Sequence, residues 1–448
     1  MSVPRGATVP GEAGGGDPVA PRGALAIVVA IVFVDLLGFG IVIPILPFYV
    51  RSFAVSDVFI GLLAASYSVM QFLSAPYLGR LSDSRGRRPV LVLSLAGNTA
   101  AWAVFGLAGE LGDSFGLGVG VGTLFAARML AGAMGGNIAT AQAYIADVTP
   151  RERRAGALGL IGASFSLGFI FGPALGGLLA SDPTVAVASD ILPAVVPANR
   201  FSLPSFGAAF LSLLALLGAL FFLPEPDRTR TSRRTTLVGQ FREALADDDL
   251  RGLVVAFFLV SVAFSGIQVM FIPFAADVYG YDAAQTALLL TYIGVLGVVN
   301  QGVLVGRLAR RYDEALLAIV GASVLVVALG SLPFSPNLGS VLPALAGLEG
   351  AVVALLGVLA LLSFGNSLLT VSLTTLVSKR ASAEGQGTAF GVTQGAGSLG
   401  RTVGPPAMAA LYALAAYWSP FVAGALLVVP IVALLVGGAR ARGLLDPT

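Results

Sequence analysis

The chain has 448 residues, 56% of them hydrophobic and only 11% charged, where soluble domains carry roughly 25% charged residues. That is too little charge to cover water-soluble domains of this length, so lipid must be the solvent for most of the surface. With no cysteine and no histidine, disulfides, thiolate chemistry, histidine metal ligands, histidine proton relays and the usual acyl-transfer constellations are excluded, and neither metal nor cofactor is expected.

Residues 1–23 are rich in Gly and Pro and read as a disordered tail. The first apolar run, starting at Ala24, is too long for a signal-peptide core and lacks a cleavage site, so it counts as the first membrane helix. Twelve spans can be cut at roughly 24–50, 57–79, 88–109, 119–146, 155–180, 204–223, 251–277, 283–309, 314–333, 347–377, 385–412 and 418–437. The longest polar connection, 224–250, holds Arg228, Arg230, Arg233, Arg234 and the acidic run Asp247–Asp249. It separates an N-terminal bundle, 24–223, from a C-terminal bundle, 251–437, which a short tail, 438–448, follows. The expected fold is an all-α membrane protein of twelve helices in two six-helix bundles.

Basic residues set the orientation. With both termini cytoplasmic, 22 of the 26 Lys and Arg fall in cytoplasmic segments; Arg51 and Arg200 lie on the opposite side, and Arg128 and Arg401 inside spans. The basic balance is therefore an orientation signal, and no nucleic-acid partner is expected. The halves also repeat: Gly79-Arg-Leu81 recurs as Gly306-Arg-Leu308, and Leu167-Gly168 with Gly172-Pro173 recurs as Leu399-Gly400 with Gly404-Pro405. The spacing between the copies is nearly the same at both places, which implies a duplicated six-helix unit with a substrate site between parallel halves at the midplane. No Gly-Lys-Ser/Thr phosphate loop occurs, so nothing supports ATP-driven transport or an enzyme.

The connection between the second and third spans reads Gly79-Arg-Leu-Ser-Asp83-Ser-Arg85-Gly86-Arg87-Arg88-Pro89. Glycine permits close helix approach, Asp83 suits backbone N–H groups at a helix N-terminus, and the arginines suit anionic headgroups; by composition alone, those arginines are also plain orientation signals. The string resembles the signature loop of the major facilitator superfamily. The resemblance implies a latch of the outward-facing state made by Gly79, Asp83, Gly86, Arg87 and Arg88, with Asp83 against a C-half helix and an arginine against the acid that ends the fourth span. Asp147 stands in that acidic place.

Three further strings sharpen the resemblance. Asp35-Leu-Leu-Gly38-Phe39-Gly40 through Pro44-Ile-Leu-Pro47 is similar to the first helix of twelve-spanning drug:proton antiporters, tetracycline-type exporters among them. Leu124-Phe-Ala-Ala-Arg128-Met-Leu-Ala-Gly132 is similar to their fourth helix. Gly168-Phe-Ile-Phe-Gly172-Pro173-Ala-Leu-Gly176-Gly177 is similar to the fifth-helix motif associated with antiport. Glycines every fourth residue give a flat face for another helix and Pro173 frees a carbonyl, a seam suited either to rocking of one bundle on the other or to static close packing. Tetracycline exporters carry further charged or His residues in their C-terminal helices. Here only Arg401 stands there, which argues against tetracycline itself.

An ionisable group at mid-bilayer costs about 2.5–3.5 kcal/mol on insertion scales and normally faces a cavity or a partner. Asp35 lies about 16 Å into the first helix, and Arg128 reaches a similar depth from the other side. Asp35 is the expected proton carrier with Arg128 tuning it; the alternative is a permanent ion pair that fixes packing. Arg401 either binds an anionic substrate group or bonds loosened backbone near Gly404-Pro405. Phe39, Gln71, Asn137, Gln142, Gln268, Phe271, Tyr292, Asn300, Asn366 and Gln394 are candidate walls of a mostly apolar cavity, each also fit to be core filler or an interhelical hydrogen-bonder.

Together the residues and the resemblance imply a monomeric secondary transporter that spans the inner (plasma) membrane. It would exchange protons for a small amphiphilic, drug-like compound by alternating access, with the lipid bilayer as its other partner. Sugar or metabolite efflux, proton symport, or a transporter-like sensor or scaffold are the other readings.

Overall fold

A computed structural model describes residues 23–135, 137–150, 153–193, 195–226, 248–345, 347–380 and 386–440. The N-terminal tail up to 22, most of the 224–250 linker and the last eight residues lie outside the described residues. Among the described residues every extended regular element is a helix. The first six long helices are α1 (Ala24–Val42), α2 (Val58–Arg85), α3 (Arg87–Gly106), α4 (Leu117–Met134, resumed as Asn137–Val148), α5 (Arg154–Ala180) and α6 (Ser202–Phe222). The second six are α7 (Asp248–Tyr279), α8 (Ala283–Val299, continued to Leu308), α9 (Glu314–Ser331, continued to Gly339), α10 (Gly350–Arg380), α11 (Gln386–Leu414) and α12 (Ser419–Arg440).

Pro44 interrupts the first helix, which restarts at Leu46–Ser52 with Pro47 in its opening turn, where a missing N–H costs nothing. At the start of α8 Asp282 and Gln285 form a reciprocal capping box. Among the described residues eleven helices are individually long and apolar enough to cross a membrane. The twelfth, α11, is diluted by Gln394, Ser398, Arg401, Thr402 and the Pro405-Pro406 pair inside it, and its packing between α7 and α2 places it with the others. Outward-facing positions carry large apolar side chains such as Leu73, Phe210 and Leu426, each more than half exposed, as a lipid-facing surface requires.

One sequence expectation changes here. The connection between the second and third spans is not a loop: α2 stays helical well beyond its expected end at Gly79, through Arg85, and the break to α3 is Gly86 alone.

Glycine sets the closest helix contacts, and the two halves use it alike. In the N-half, a Cβ on Gly40 of α1 would stand 2.6 Å from the Gly168 carbonyl oxygen of α5, and one on Gly172 would stand 2.6 Å from the Gly40 Cα. In the C-half, a Cβ on Gly400 of α11 would stand 2.7 Å from the Phe258 carbonyl oxygen of α7. Backbones this close leave no room for any side chain but hydrogen.

The halves meet through α2 with α11 and through α5 with α8. These contacts tighten toward the end that carries Arg51: Gly61 faces Pro405 and Ala409, and a Cβ on Gly177 would lie 2.7 Å from the Ala287 Cβ. Arg51 spans the seam, bonding Asp57 of its own half (2.7 Å) and Asp277 of the other (2.7 Å). Tyr412 donates to the same Asp277 at 2.6 Å. Burial works to lower the Arg51 pKa, but its hydrogen bonds to Asp57 and Asp277 outweigh that and hold it above its ordinary value. Toward the arginine-rich end the gap widens, and a Cβ on Gly79, Gly159, Gly162, Gly302 or Gly306 would meet open space.

Arg51 and Asp277 are partly exposed, so their pairing is worth only up to about 1 kcal/mol, about a fivefold change in a two-state population. Arg51→Ala should therefore raise the population with this end open. The native chain has no cysteine, so spin labels on Ser56→Cys and Ala415→Cys report it uniquely: the longer-distance component between them grows. An unchanged distance distribution would deny the pair a latching role.

Candidate functional site

Three regions hold the residues expected to matter, and α1 reaches two of them. Over little more than one turn this helix shows a different face to each neighbour. Asp35 accepts a hydrogen bond from Asn98 Nδ2 of α3 at 3.1 Å. Leu36 and Gly40 lie on α5, Gly38 lies on Ala208 and Ser212 of α6, and the Phe39 ring meets Tyr67 of α2 (5.6 Å) and Trp102 of α3 (6.4 Å). Asp35 is 7% exposed and Arg128 6%, so both charges are withdrawn from solvent.

The Arg128 guanidinium stands over the Tyr67 ring at 4.7 Å and near Phe39 and Trp102 at 5.8 Å each. Its Nε is buried with no hydrogen-bond partner. Its neighbours are thus three aromatic faces, a cation–π setting worth up to about 2 kcal/mol when desolvated. Tyr67 lies within electrostatic reach of Arg128, Asp35 and Arg401 alike, and its hydroxyl accepts from Gln71 at 3.3 Å. Neither Tyr67 nor Asn98 stands out in the sequence, because single tyrosine and asparagine residues in apolar spans carry no pattern.

The second region is the motif that joins α2 to α3. Arg87 bonds Asp147 at 2.9 Å and Asp83 at 2.6 Å. The expected helix-terminus role of Asp83 belongs to another residue. The Glu225 carboxylate, just past α6, accepts from the backbone N–H groups of Arg87 (2.7 Å) and Arg88 (2.9 Å) at the start of α3, where the helix dipole favours an anion. Gly86 makes this possible. Its φ of +125° is open to glycine, and a Cβ there would come within 2.8 Å of that carboxylate. Arg88 donates back to the Ala219 and Leu220 carbonyls at the end of α6. Gly79 has no close neighbour.

The third region is a cavity of about 560 Å³ between the halves, walled by α5 on one side and by α7, α8, α10 and α11 on the other. Gln268, Phe271, Asn366, Arg401 and Pro173 line it; Gln301, Phe165 and Phe169, which sequence reading passed over, line it too. Asn300 instead bonds Ser363 Oγ at 3.3 Å and Tyr292 the Leu356 carbonyl at 3.2 Å. The π turn at Asn300–Leu304 inserts a residue into the helical register and leaves Gln301, rather than Asn300, on the cavity wall. Gln142 and Gln394 are exposed away from the cavity wall; Asn137 opens the second part of α4, and its side chain lies outside the described residues. Phe39 and Gln71 belong to the aromatic cluster around Arg128. Of the fifth-helix glycines, Gly168, Gly172 and Gly176 pack on α1 inside the N-half, and Gly177 alone of that set touches α8 across the seam.

Comparisons with known proteins follow this geometry. A family model described as the Major Facilitator Superfamily matches residues 28–405. The tetracycline resistance protein, class C, of Escherichia coli is 33% identical over 305 residues, which covers 66% of this chain and 70% of that protein. Multidrug resistance protein 1 of Bacillus subtilis is 29% identical over 388 residues, covering 85% and 87%. The solved structure of the human organic anion transporter MFSD10 superposes with a TM-score of 0.62 at 24% identity, covering 93% of this chain and 100% of that one.

The Glu225 contact is separable by mutation. Glu225→Ala should lower the stability of the detergent-purified protein by about 1–2 kcal/mol, the usual cost of losing a helix cap, read as a fall in the thermal unfolding midpoint. Glu225→Gln, which keeps one acceptor oxygen, should lose less.

Proposed function

The chain belongs to the Major Facilitator Superfamily, and on that premise we propose that it is a proton-coupled antiporter that exports a small amphiphilic compound by alternating access. It is a multi-pass membrane transporter and not an enzyme. The site residues, the coupling ion, the direction and the plasma-membrane setting belong to the proposal.

The observation that carries it is a pair of buried charges in the N-half, the Asp35 carboxylate bonded to Asn98 and the Arg128 guanidinium caged by aromatic rings, on helices that do not form the cavity's polar wall. An acid 7% exposed inside a membrane-spanning bundle is costly without a role, and reversible protonation is a role that a buried carboxylate suits. With the arginine-rich end in the cytoplasm, the closed Arg51 end and the open opposite end make this an inward-facing arrangement. Asp35 would then give its proton to the cytoplasm and the cavity would load its compound there. Reopening outward would separate Arg51 from Asp277, and Arg87, Asp83, Asp147 and Glu225 would hold the α2–α3–α4–α6 corner rigid as the halves rock. Residues 1–23 and 438–448 would both be cytoplasmic, the linker would let the halves move, and the protein would act as a monomer.

The names of the relatives point to drugs and organic anions and leave the charge of the substrate open. In liposomes loaded with a pH-sensitive dye, wild-type protein should move protons only when a substrate from a panel of cationic, neutral and anionic compounds is added. Asp35→Asn should abolish that movement while leaving substrate binding in place. A mutant that still dissipates the gradient on substrate addition would rule out coupling at Asp35.

A further inference from the structure

We propose that the cavity recognises an anionic amphiphile with an aromatic body, its acidic head held by Arg401; this deepens the transporter reading above by naming its substrate class, and rests on it. Among the described residues Arg401 is the one charged side chain on the cavity wall, and the remaining polar lining is amide and hydroxyl: Gln268, Gln301 and Asn366 with three serines. Among those residues it also makes no ion pair and donates no hydrogen bond, in contrast to Arg51 and Arg87, each held by two carboxylates. The backbone near Gly404-Pro405, its other expected partner, does not take it up. A guanidinium left with its fork of N–H donors open at mid-membrane, facing a cavity, is matched by a carboxylate, sulfonate or phosphate in bidentate geometry.

The repeat supplies a second, independent observation. The offset that maps Gly168 onto Gly400 and Gly172 onto Gly404 carries Phe169 onto Arg401, and Phe169 lines the same cavity from the N-half wall. Positions equivalent by duplication therefore present an aromatic ring on one side and a cation on the other. Phe165 flanks Phe169, and Phe264 and Phe271 stand on α7, so most of the wall is apolar while a single point attracts negative charge. A cationic amphiphile would be repelled by Arg401 and would meet no lining carboxylate in exchange. A volume of about 560 Å³ holds a two- or three-ring compound within the usual range of ligand pockets.

The test uses three probes built on one ring system: 1-naphthaleneacetic acid, its primary amide and 2-(1-naphthyl)ethylamine. Binding to the full-length protein in lipid nanodiscs is measured by calorimetry at pH 7. Wild-type protein should bind the acid at least tenfold tighter than the amide and should bind the amine weakest. Arg401→Gln should bring the acid down to the level of the amide, with an unfolding transition like that of the wild type showing that the variant is folded; Arg401→Lys should keep part of the preference. A wild type that binds amide or amine as tightly as acid overturns the proposal, as does a preference for the acid that survives in Arg401→Gln. Should Arg401→Gln bind no probe at all, the wild-type order and the lysine variant still decide. Binding requires no proton movement, so acid preference without acid-driven proton flux would overturn the coupled-antiport reading and leave this one standing. Flux adds a further readout. A proton moving in and an anion moving out both carry positive charge inward, so an inside-negative potential set with potassium and valinomycin should accelerate exchange with the acid. Exchange with the acid that ignores the imposed potential would contradict proton-for-anion exchange at this site.

Discussion

The contact between α1 and α5, where the backbone of Gly40 lies against Gly168 and Gly172, is the constraint on which the rest of the N-half depends. In hydrocarbon there is no hydrophobic force to drive helices together, so backbone-to-backbone contact through glycine supplies the packing. Once Leu36 and Gly40 are committed to α5, helical geometry turns Asp35 and Phe39, each one residue earlier, about 100° around the axis toward α2, α3 and α4. The carboxylate then meets Asn98 and the ring meets Tyr67, Trp102 and Arg128. A side chain at position 40 would push α1 off α5 and, with it, the one buried acid of this region away from its neighbours.

Duplication built a symmetric scaffold and divergence loaded its halves differently. The offset that maps Gly79 onto Gly306 carries Arg87 onto Glu314, and the offset that maps Gly168 onto Gly400 carries Asp147 onto Lys379. Both pairs are formed, Arg87 with Asp147 at 2.9 Å and Lys379 with Glu314 at 2.6 Å, so the same tie between the third and fourth helix of each half is kept with its charges exchanged. What the scaffold needs is an ion pair at that place; which partner is the acid does not matter. The mid-membrane positions behave otherwise: the N-half holds Asp35 and Arg128 away from the cavity, whereas the C-half, with α5, forms most of the cavity wall and holds Arg401. The ties are kept in both halves while the buried charges are placed differently, which fits the proposed division of proton and ligand between them.

Length, charge and apolar spacing made twelve helices and their duplication legible, because a bilayer demands long uninterrupted apolar runs. Helix α11 is the instructive exception: its hydropathy is diluted by polar residues, and the span cut at 385–412 is supported by the repeat with α5 and by packing between α7 and α2. Residues whose role follows from a string, such as Arg87 with Asp147, were readable. Those whose role follows from three-dimensional company were not. Glu225 sits in what reads as the start of a linker, and nothing in Pro224-Glu225 shows that it caps a helix that began far upstream, at Arg87. The Asn300 and Gln301 pair misleads because a helical wheel assumes an unbroken α-helical repeat and α8 departs from that at a π turn. The glycine stripe of α5 was legible as a flat face, but the sequence does not say which helix lies against it, and that helix is α1 rather than the opposite bundle.

Tyr67 deals with a difficulty that the separation of chemistries creates. Asp35 and Arg401 do not share a cavity wall, yet the proposed exchange would require each to sense the other. Tyr67 is on α2, which packs on both α4 and α11, and its ring and hydroxyl lie within electrostatic reach of Asp35, Arg128 and Arg401 together. Charges interact more strongly across a protein interior than across water, so on the proposed roles a change of charge at Asp35 or at Arg401 would be felt at Tyr67. The unsatisfied Nε of Arg128 fits the same logic: a guanidinium held by aromatic faces keeps its charge uncancelled, and its field would remain available to the protonation proposed at Asp35.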